Sequence, residues 1–204
     1  GYASTDELVE LSKQVTALGG IYHTHVRYGL GDRYLDPFRE AITIGERSGV
    51  PVHITHFYQR TPSPGGGNRL IQLVEDTHEG GQDITFDSYP YIYGSTRITI
   101  IYPNWSQDGG PEKLKEVLRS EDGRERLREE VKPRSASWHD MWLTYFKKAE
   151  NHQYEGRSVA DVAEMMGKHP VDALCDLLLD EDLQTCYVMA GANGNTLPAF
   201  VAHP

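Results

Sequence analysis

An α/β fold with parallel strands flanked by helices is predicted by three observations. Strand-like and helix-like segments alternate, with strand starts at about 21, 51 and 83, a repeat of about 30 residues. Glycines punctuate that alternation: Gly19-Gly20, Gly49 and Gly80-Gly81 each stop a helix just before a strand. The length, 204 residues, is enough for one substantial core. Alternation of this kind implies parallel strands with helices outside the sheet, joined by right-handed crossovers. An open doubly wound sheet and part of a (β/α)8 barrel both satisfy it.

The elements follow in order. Ser4 or Thr5 is an N-cap candidate, with acids in the next turn, and Leu8, Leu11, Val15 and Leu18 recur at helical spacing over 6–18. Ile21 to Val26 is the first strand. A helix from about Asp36 to Ser48 presents Phe38, Ala41, Ile42 and Ile44, and Val50 to His56 is the second strand. A Pro- and Gly-rich loop, 59–68, leads into a helix over 69–79 and a third strand over Asp83 to Asp87. Beyond residue 97 the rhythm breaks. One highly charged helix is predicted from about Pro111 to Val131, a solvated face, and 132–155 reads as irregular or partly helical. Ser158 caps a further helix, Pro170 opens another over 171–180, Gln184 to Met189 reads as a fourth strand, and 195–202 as a helix start. The expectation is a single domain over 1–204 carrying a mostly helical insertion over 103–157.

Composition narrows the function. The formal net charge is -10, from 30 acidic against 20 basic residues. Phosphate binding needs Lys and Arg concentrated on one face, so a nucleic-acid partner is not expected, nor an anionic membrane surface. No apolar run approaches the ~20 residues that cross a bilayer, and the first residues lack the pattern of a signal peptide. Cys175 and Cys186 are too few for a disulfide framework, and a reduced, cytoplasmic setting is the simpler expectation. The abrupt start and the ending on His203-Pro204 read as a piece of something longer. Nothing in the sequence sets the oligomeric state.

The chemistry gathers at strand ends. His25 and His56 each close a predicted strand, 56 − 25 = 31 residues apart, one βα repeat. Carboxyl ends of parallel strands are where α/β enzymes place their sites. Neighbouring strands lie ~4.8 Å apart, so two imidazoles leaving them can meet at one cation. His23 shares a face with His25 by alternation, as an H-x-H pattern or as a hydrogen-bonded histidine. His53, three residues before His56, is expected to point away and pack against a helix. Past the third strand, Tyr89, Tyr91, Tyr93, Ser95 and Thr96 offer donors for a carboxylate or carbonyl oxygen, or build a rigid aromatic turn around Pro90. Asp87 is the carboxylate at that strand's end, expected to hydrogen-bond the neighbouring loop.

These residues carry a resemblance. The runs Tyr2 to Leu8, Gly19 to Arg27 (GGIYHTHVR), Val50 to His56 (VPVHITH), Asp83 to Tyr91 (DITFDSYPY), Gly94 to Thr96, Tyr102 to Trp105, Pro170 to Ala173 and His203-Pro204 resemble the N-acyl-D-amino-acid deacylase branch of the amidohydrolase superfamily. The resemblance implies a partial (β/α)8 barrel of the metal-dependent amidohydrolase kind. It implies a zinc-dependent enzyme that hydrolyses the amide of a small-molecule substrate, an N-acyl-D-amino acid, to a D-amino acid and a carboxylate. His25 and His56 would be zinc ligands, and Tyr89, Ser95 and Arg27 substrate-binding residues. The chain departs from the family in having Tyr28-Gly29 after His-x-Arg, and Tyr58 where a carboxylate-binding Lys is common; Arg60 and Arg97 are the alternative cations. The family's upstream His-x-His and zinc-binding Cys have no counterpart here. Its catalytic Asp is expected beyond Pro204, so the isolated chain is expected to be inactive or nearly so. Two rival readings are a cyclic-amide hydrolase of the dihydroorotase or hydantoinase kind, and a non-catalytic binding module that kept the pocket without the metal.

Overall fold

The structure is a computed structural model that describes residues 3–28, 30, 34–58, 66–191 and 196–203. The chain divides into two compact units, Gly1–Ile92 with Gly191–Pro204, and Tyr93–Ala190. The segment 103–157 is thus part of a larger unit, because strands and helices on either side of it share its core. No helix among the described residues is long and apolar enough to cross a membrane.

The first unit is the βα series. Helix α1 (Thr5–Ala17) opens with Ser4 as its cap, the Ser4 hydroxyl accepting the Glu7 amide at 3.1 Å. Strands β1 (Tyr22–Thr24), β2 (Val52–Ile54) and β3 (Ile84–Phe86) alternate with α2 (Asp36–Ser48) and α3 (Gly66–Glu79). They form a parallel sheet in the order β1-β2-β3, pairing Tyr22 with Val52 and Val52 with Ile84. Val52, Ile54 and Ile84 turn to one face and are buried with Phe38, Ala41, Ile42, Leu70 and Val74 of the helices. Gly45 lets α2 lie directly on β2: a Cβ there would stand 2.4 Å from Val52 Cγ2. Gly49, at φ 72°, ends α2 in the left-handed conformation a glycine adopts without strain. After the second unit the chain returns as a short helix, Leu197–Val201, whose Phe200 joins this core.

Two expectations for this unit are corrected. In α1 the buried residues are Val9 and Ser12, whereas Leu11 and Leu18 are 59% and 88% exposed. Thr5 bonds Glu40 and Thr16 bonds the Ser48 carbonyl, so the face toward α2 carries these polar contacts, while Leu8 and Val15 are half-buried. His53 does not pack against a helix. It pairs in register with His23 and Thr85 on the face opposite Val52 and Ile54. Alternation counted back from His56 fails because His56 lies past the strand, at φ 38°.

The second unit is built on an antiparallel sheet in the order β4-β6-β5, from Tyr93–Arg97, Cys186–Ala190 and Trp142–Thr144. The segment read as a fourth strand is β6, but it pairs antiparallel with β4 and β5 instead of extending the parallel series. The helices are α4 (Asn104–Gln107), α5 (Pro111–Arg119), α6 (Glu121–Glu130), α7 (Val159–Met166) and α8 (Pro170–Asp180). The single charged helix predicted over 111–131 is therefore two. Ser120 breaks it, its extended backbone ending α5 and its hydroxyl accepting the Gly123 amide to cap α6. Their inner faces bury Leu114, Leu118 and Leu127 against Met141, Leu143, Val159, Leu174 and Leu178. Ser158 caps α7 and Pro170 opens α8, as the sequence predicts. Both cysteines are free thiols.

Candidate metal centre

Each strand of the parallel sheet ends in a residue that the register brings level with its neighbours: His25 after β1, the turn Thr55-His56 after β2, Asp87 after β3. The ladder continues past the strands, since the Thr55 amide donates to the Thr24 carbonyl and the Phe57 amide to the Asp87 carbonyl. Nδ1 of His25 and Nε2 of His56 face each other at 2.7 Å, the rings in an edge-to-face arrangement with centroids 4.5 Å apart. Nitrogens sharing one tetrahedral zinc at ~2.0–2.1 Å stand about 3.3 Å apart, so the pair is a small ring rotation from a shared cation. Partial burial, and then the neighbouring His56 ring, hold the His25 imidazole below its ordinary pKa. A neutral imidazole is the form that binds a metal. The donor set therefore fits zinc, and supplies two of the three protein ligands a catalytic zinc takes.

His56 owes its position to its backbone. Its φ of 38° is unusual for a residue with a side chain. Its amide donates to Asp87 Oδ1 at 2.6 Å. The other carboxylate oxygen accepts the Thr55 hydroxyl at 3.0 Å and lies 3.0 Å from His53 Nε2, while His53 Nδ1 is 2.7 Å from the Thr85 hydroxyl. Partial burial alone would raise the Asp87 pKa; the hydrogen bonds from His53, the His56 amide and Thr55 outweigh it and hold Asp87 below the usual carboxylate range. Nδ1 of His56 is buried with no hydrogen-bond partner among the described residues.

A run of tyrosines leads away from the pair. Tyr28 packs on His25 at 5.3 Å and Tyr58 on His56 at 5.7 Å. Tyr58 also contacts Tyr28 and Tyr89, and Tyr89 stacks on Tyr91 at 5.0 Å. Burial, with Tyr58 and Tyr89 adding to it, lifts the Tyr28 hydroxyl far above the ordinary tyrosine range, so it stays neutral.

Of the other residues singled out from sequence, Arg27 does not face the pair. Arg27 projects toward the helices. Its Nε donates to Glu40 Oε2 at 2.8 Å, its Nη2 pairs with Glu40 Oε1, and its Nη1 donates to the Ala3 carbonyl at 2.6 Å. Ser95 is exposed on β4 of the second unit, opposite Val188, and Arg97 ends the same strand. Arg60 lies outside the described residues. A cleft of about 500 Å³ between α3, β3 and the helix Leu197–Val201 is lined by Glu75, His78, Thr85, Ser88 and His203 and includes neither His25 nor His56. Sequence reasoning gave Asp87 only a loop contact. The signal for more was its position one residue past β3, level with His56.

No protein-family model matches the chain. Over 97 residues, 47% of this chain and 20% of the relative, it is 35% identical to a D-aminoacylase from Alcaligenes xylosoxydans xylosoxydans. Among solved structures, a D-aminoacylase that defines a novel subset of amidohydrolases matches at TM-score 0.61 and 20% identity, over 98% of this chain and 34% of that one. The N-acyl-D-glutamate deacylase from Bordetella bronchiseptica, complexed with zinc and a phosphonate mimic of the tetrahedral intermediate, matches at TM-score 0.66 and 16% identity, over 99% of this chain and 34% of that one. The chain thus spans a fifth of the curated relative and about a third of each structural neighbour. The resemblance read from the motifs is borne out over those 97 residues, and the fold is that of the matching third of the two structural neighbours.

Proposed function

We propose that residues 1–204 form the part of a zinc-dependent N-acyl-D-amino-acid deacylase that carries two metal ligands, His25 and His56. The observation that carries this reading is the pair itself: two imidazole nitrogens 2.7 Å apart, leaving adjacent parallel strands one βα repeat apart. In this reading β1, β2 and β3 are consecutive strands of a (β/α)8 barrel, and the pair sits at the carboxyl rim where such barrels do their chemistry. The segment 103–157 then belongs to material inserted in a single barrel domain.

A zinc ion held there would supply Lewis acidity toward the amide carbonyl and toward the attacking water. The chain's own residues bind and orient. His25 and His56 hold the ion as neutral imidazoles. Tyr89, reached from His56 through Tyr58, offers its hydroxyl to the substrate carboxylate, and Ser95 is the second donor that the family resemblance assigns. Arg27 is committed to Glu40; we assign it to bracing β1 against α1 and α2 and not to the substrate. No general base is assigned among the described residues, because the Asp87 carboxylate already accepts three donors.

The test uses the full-length protein containing these residues. Zinc-loaded enzyme is expected to release the D-amino acid from N-acetyl-D-amino acids and to leave the L-enantiomers intact. His25→Ala and His56→Ala should each lower kcat/KM by at least about 100-fold, a ligand loss being costlier than the 10- to 100-fold of an outer-shell change. Turnover of dihydroorotate or a hydantoin instead would move the protein to the cyclic-amide hydrolases. Full-length protein that retains no zinc would make it a binding module.

A further inference from the structure

We infer that Asp87 is the positioning residue of the His25/His56 metal site, acting through the backbone of His56. The inference rests on the proposed metal site and names what fixes its geometry. A metal-ligating histidine is ordinarily oriented by a hydrogen bond from its second ring nitrogen to a carboxylate, carbonyl or water. His56 lacks that device: its Nδ1 is buried and unpartnered among the described residues. Something else must aim the ring, and the backbone carries the constraint. A side-chain-bearing residue at φ 38° persists only where its surroundings over-determine it.

Asp87 is that surrounding. Oδ1 takes the His56 amide at 2.6 Å, and Oδ2 takes the Thr55 hydroxyl at 3.0 Å, so one carboxylate clamps both residues of the turn that ends β2. His53 Nε2, also 3.0 Å from Oδ2, holds the carboxylate from below, and Thr85 fixes the His53 ring from its other nitrogen. The Asp87 backbone is itself pinned to β2, its amide donating to the Ile54 carbonyl at 3.1 Å and its carbonyl accepting the Phe57 amide at 2.7 Å. The carboxylate therefore sets the Cα–Cβ direction of His56 relative to β3, and the ring follows. Asp87, His53 and His23 also bring one donor atom each within 4.8 Å of one another. Both His53 nitrogens are engaged by Thr85 and Asp87, which assigns His53 and Asp87, and not His23, to bracing.

The test measures zinc affinity of the full-length protein containing these residues by competition with a chromophoric chelator, at helix content checked by circular dichroism. Wild type and Asp87→Asn, Thr55→Val, His23→Ala and His25→Ala/His56→Ala variants are compared. Asp87→Asn keeps the size but puts an amide against donors. It is expected to weaken zinc binding 10- to 100-fold, the range for an outer-shell partner. Thr55→Val removes one donor to the carboxylate and leaves Asp87 and both ligand side chains in the chain. It is expected to weaken binding by roughly 3- to 10-fold, below that same range, and it carries the test if Asp87→Asn does not fold. His23→Ala is expected to change nothing. If the double histidine variant abolishes binding while Asp87→Asn and Thr55→Val match wild type, the positioning role is overturned and the metal site stands. If the double variant binds zinc normally and His23→Ala does not, the ion belongs to His23, His53 and Asp87, and both readings fall.

Discussion

Glu40→Gln is the perturbation whose size follows most directly from the structure. Glu40 joins α2 to β1 and to α1. It takes Arg27 through both carboxylate oxygens and the Thr5 hydroxyl at 2.6 Å. The two side chains of the pair are 25% and 10% exposed, Arg27 and Glu40 respectively, so they are neither a surface pair nor fully dry. Gln keeps the shape but offers one acceptor oxygen and turns an amide toward donors. Hydrogen bonds to charged groups are worth ~1.5–3 kcal/mol, and stripping one partner from a fully buried pair costs ~3–5 kcal/mol. Residual exposure favours the lower part, so the expected loss at neutral pH is about 2–3 kcal/mol. The pH dependence has a fixed sign. The hydrogen bond from Arg27, before any other cause, holds Glu40 below the ordinary carboxylate pKa. The stabilisation is then complete above the unfolded value of ~4.3 and disappears as pH falls through the lowered folded value. Urea unfolding of both proteins at pH 7.5, 5.5 and 3, followed by far-UV circular dichroism, should give an equal deficit at the first two and a shrinking one at the third. Hydrogen exchange should localise it to α1 and α2. A deficit that persists undiminished at low pH, or one below about 1 kcal/mol at pH 7.5, refutes the reasoning, since a solvated pair is worth no more than about that.

Two further outcomes follow from the same unit. Phe57, fully buried, stacks on Phe86 at 4.5 Å and meets Phe38 and Phe200 edge-on. Phe57→Ala should cost ~3–5 kcal/mol and weaken zinc binding through its neighbour His56, whereas Phe57→Leu should cost about 1–1.5 kcal/mol; equal midpoints for the two in urea would contradict the packing. The His25 contribution to zinc affinity should persist to lower pH than an ordinary imidazole's would, because burial and then His56 lower the His25 pKa. Calorimetric titration from pH 8 to 5 checks this, and a fall already complete above pH 7 would contradict it.

The parallel half of the fold was legible because its signals are local. Gly19-Gly20, Gly49 and Gly80-Gly81 bracket the helices, and strands predicted from about 21, 51 and 83 begin at Tyr22, Val52 and Ile84. The spacing of His25 and His56 was enough to pair them. Strand β4 escaped because Tyr93-Gly94-Ser95-Thr96-Arg97 has no apolar alternation and is mostly exposed; only its pairing with β6, about 90 residues later in sequence, makes it a strand. Strand β5 escaped because it is three residues long, held by β6 and by Ser158 through a bridge to Trp142. The break at Ser120 was written in the sequence, as a serine ahead of two acids, but hidden inside a continuous charged run. His53 was misassigned because alternation was carried past the end of β2, where the left-handed backbone of His56 resets the count. The importance of Asp87 depends on register between β2 and β3, which no single segment encodes.

The most direct measurement is a crystal of the zinc-loaded full-length protein with anomalous data at the zinc edge. The account predicts one strong peak bonded to His25 Nδ1 and His56 Nε2 at ~2.0–2.1 Å, with Asp87 still on the His56 amide. A peak on His23, His53 and Asp87, or none at the pair at saturating zinc, contradicts it.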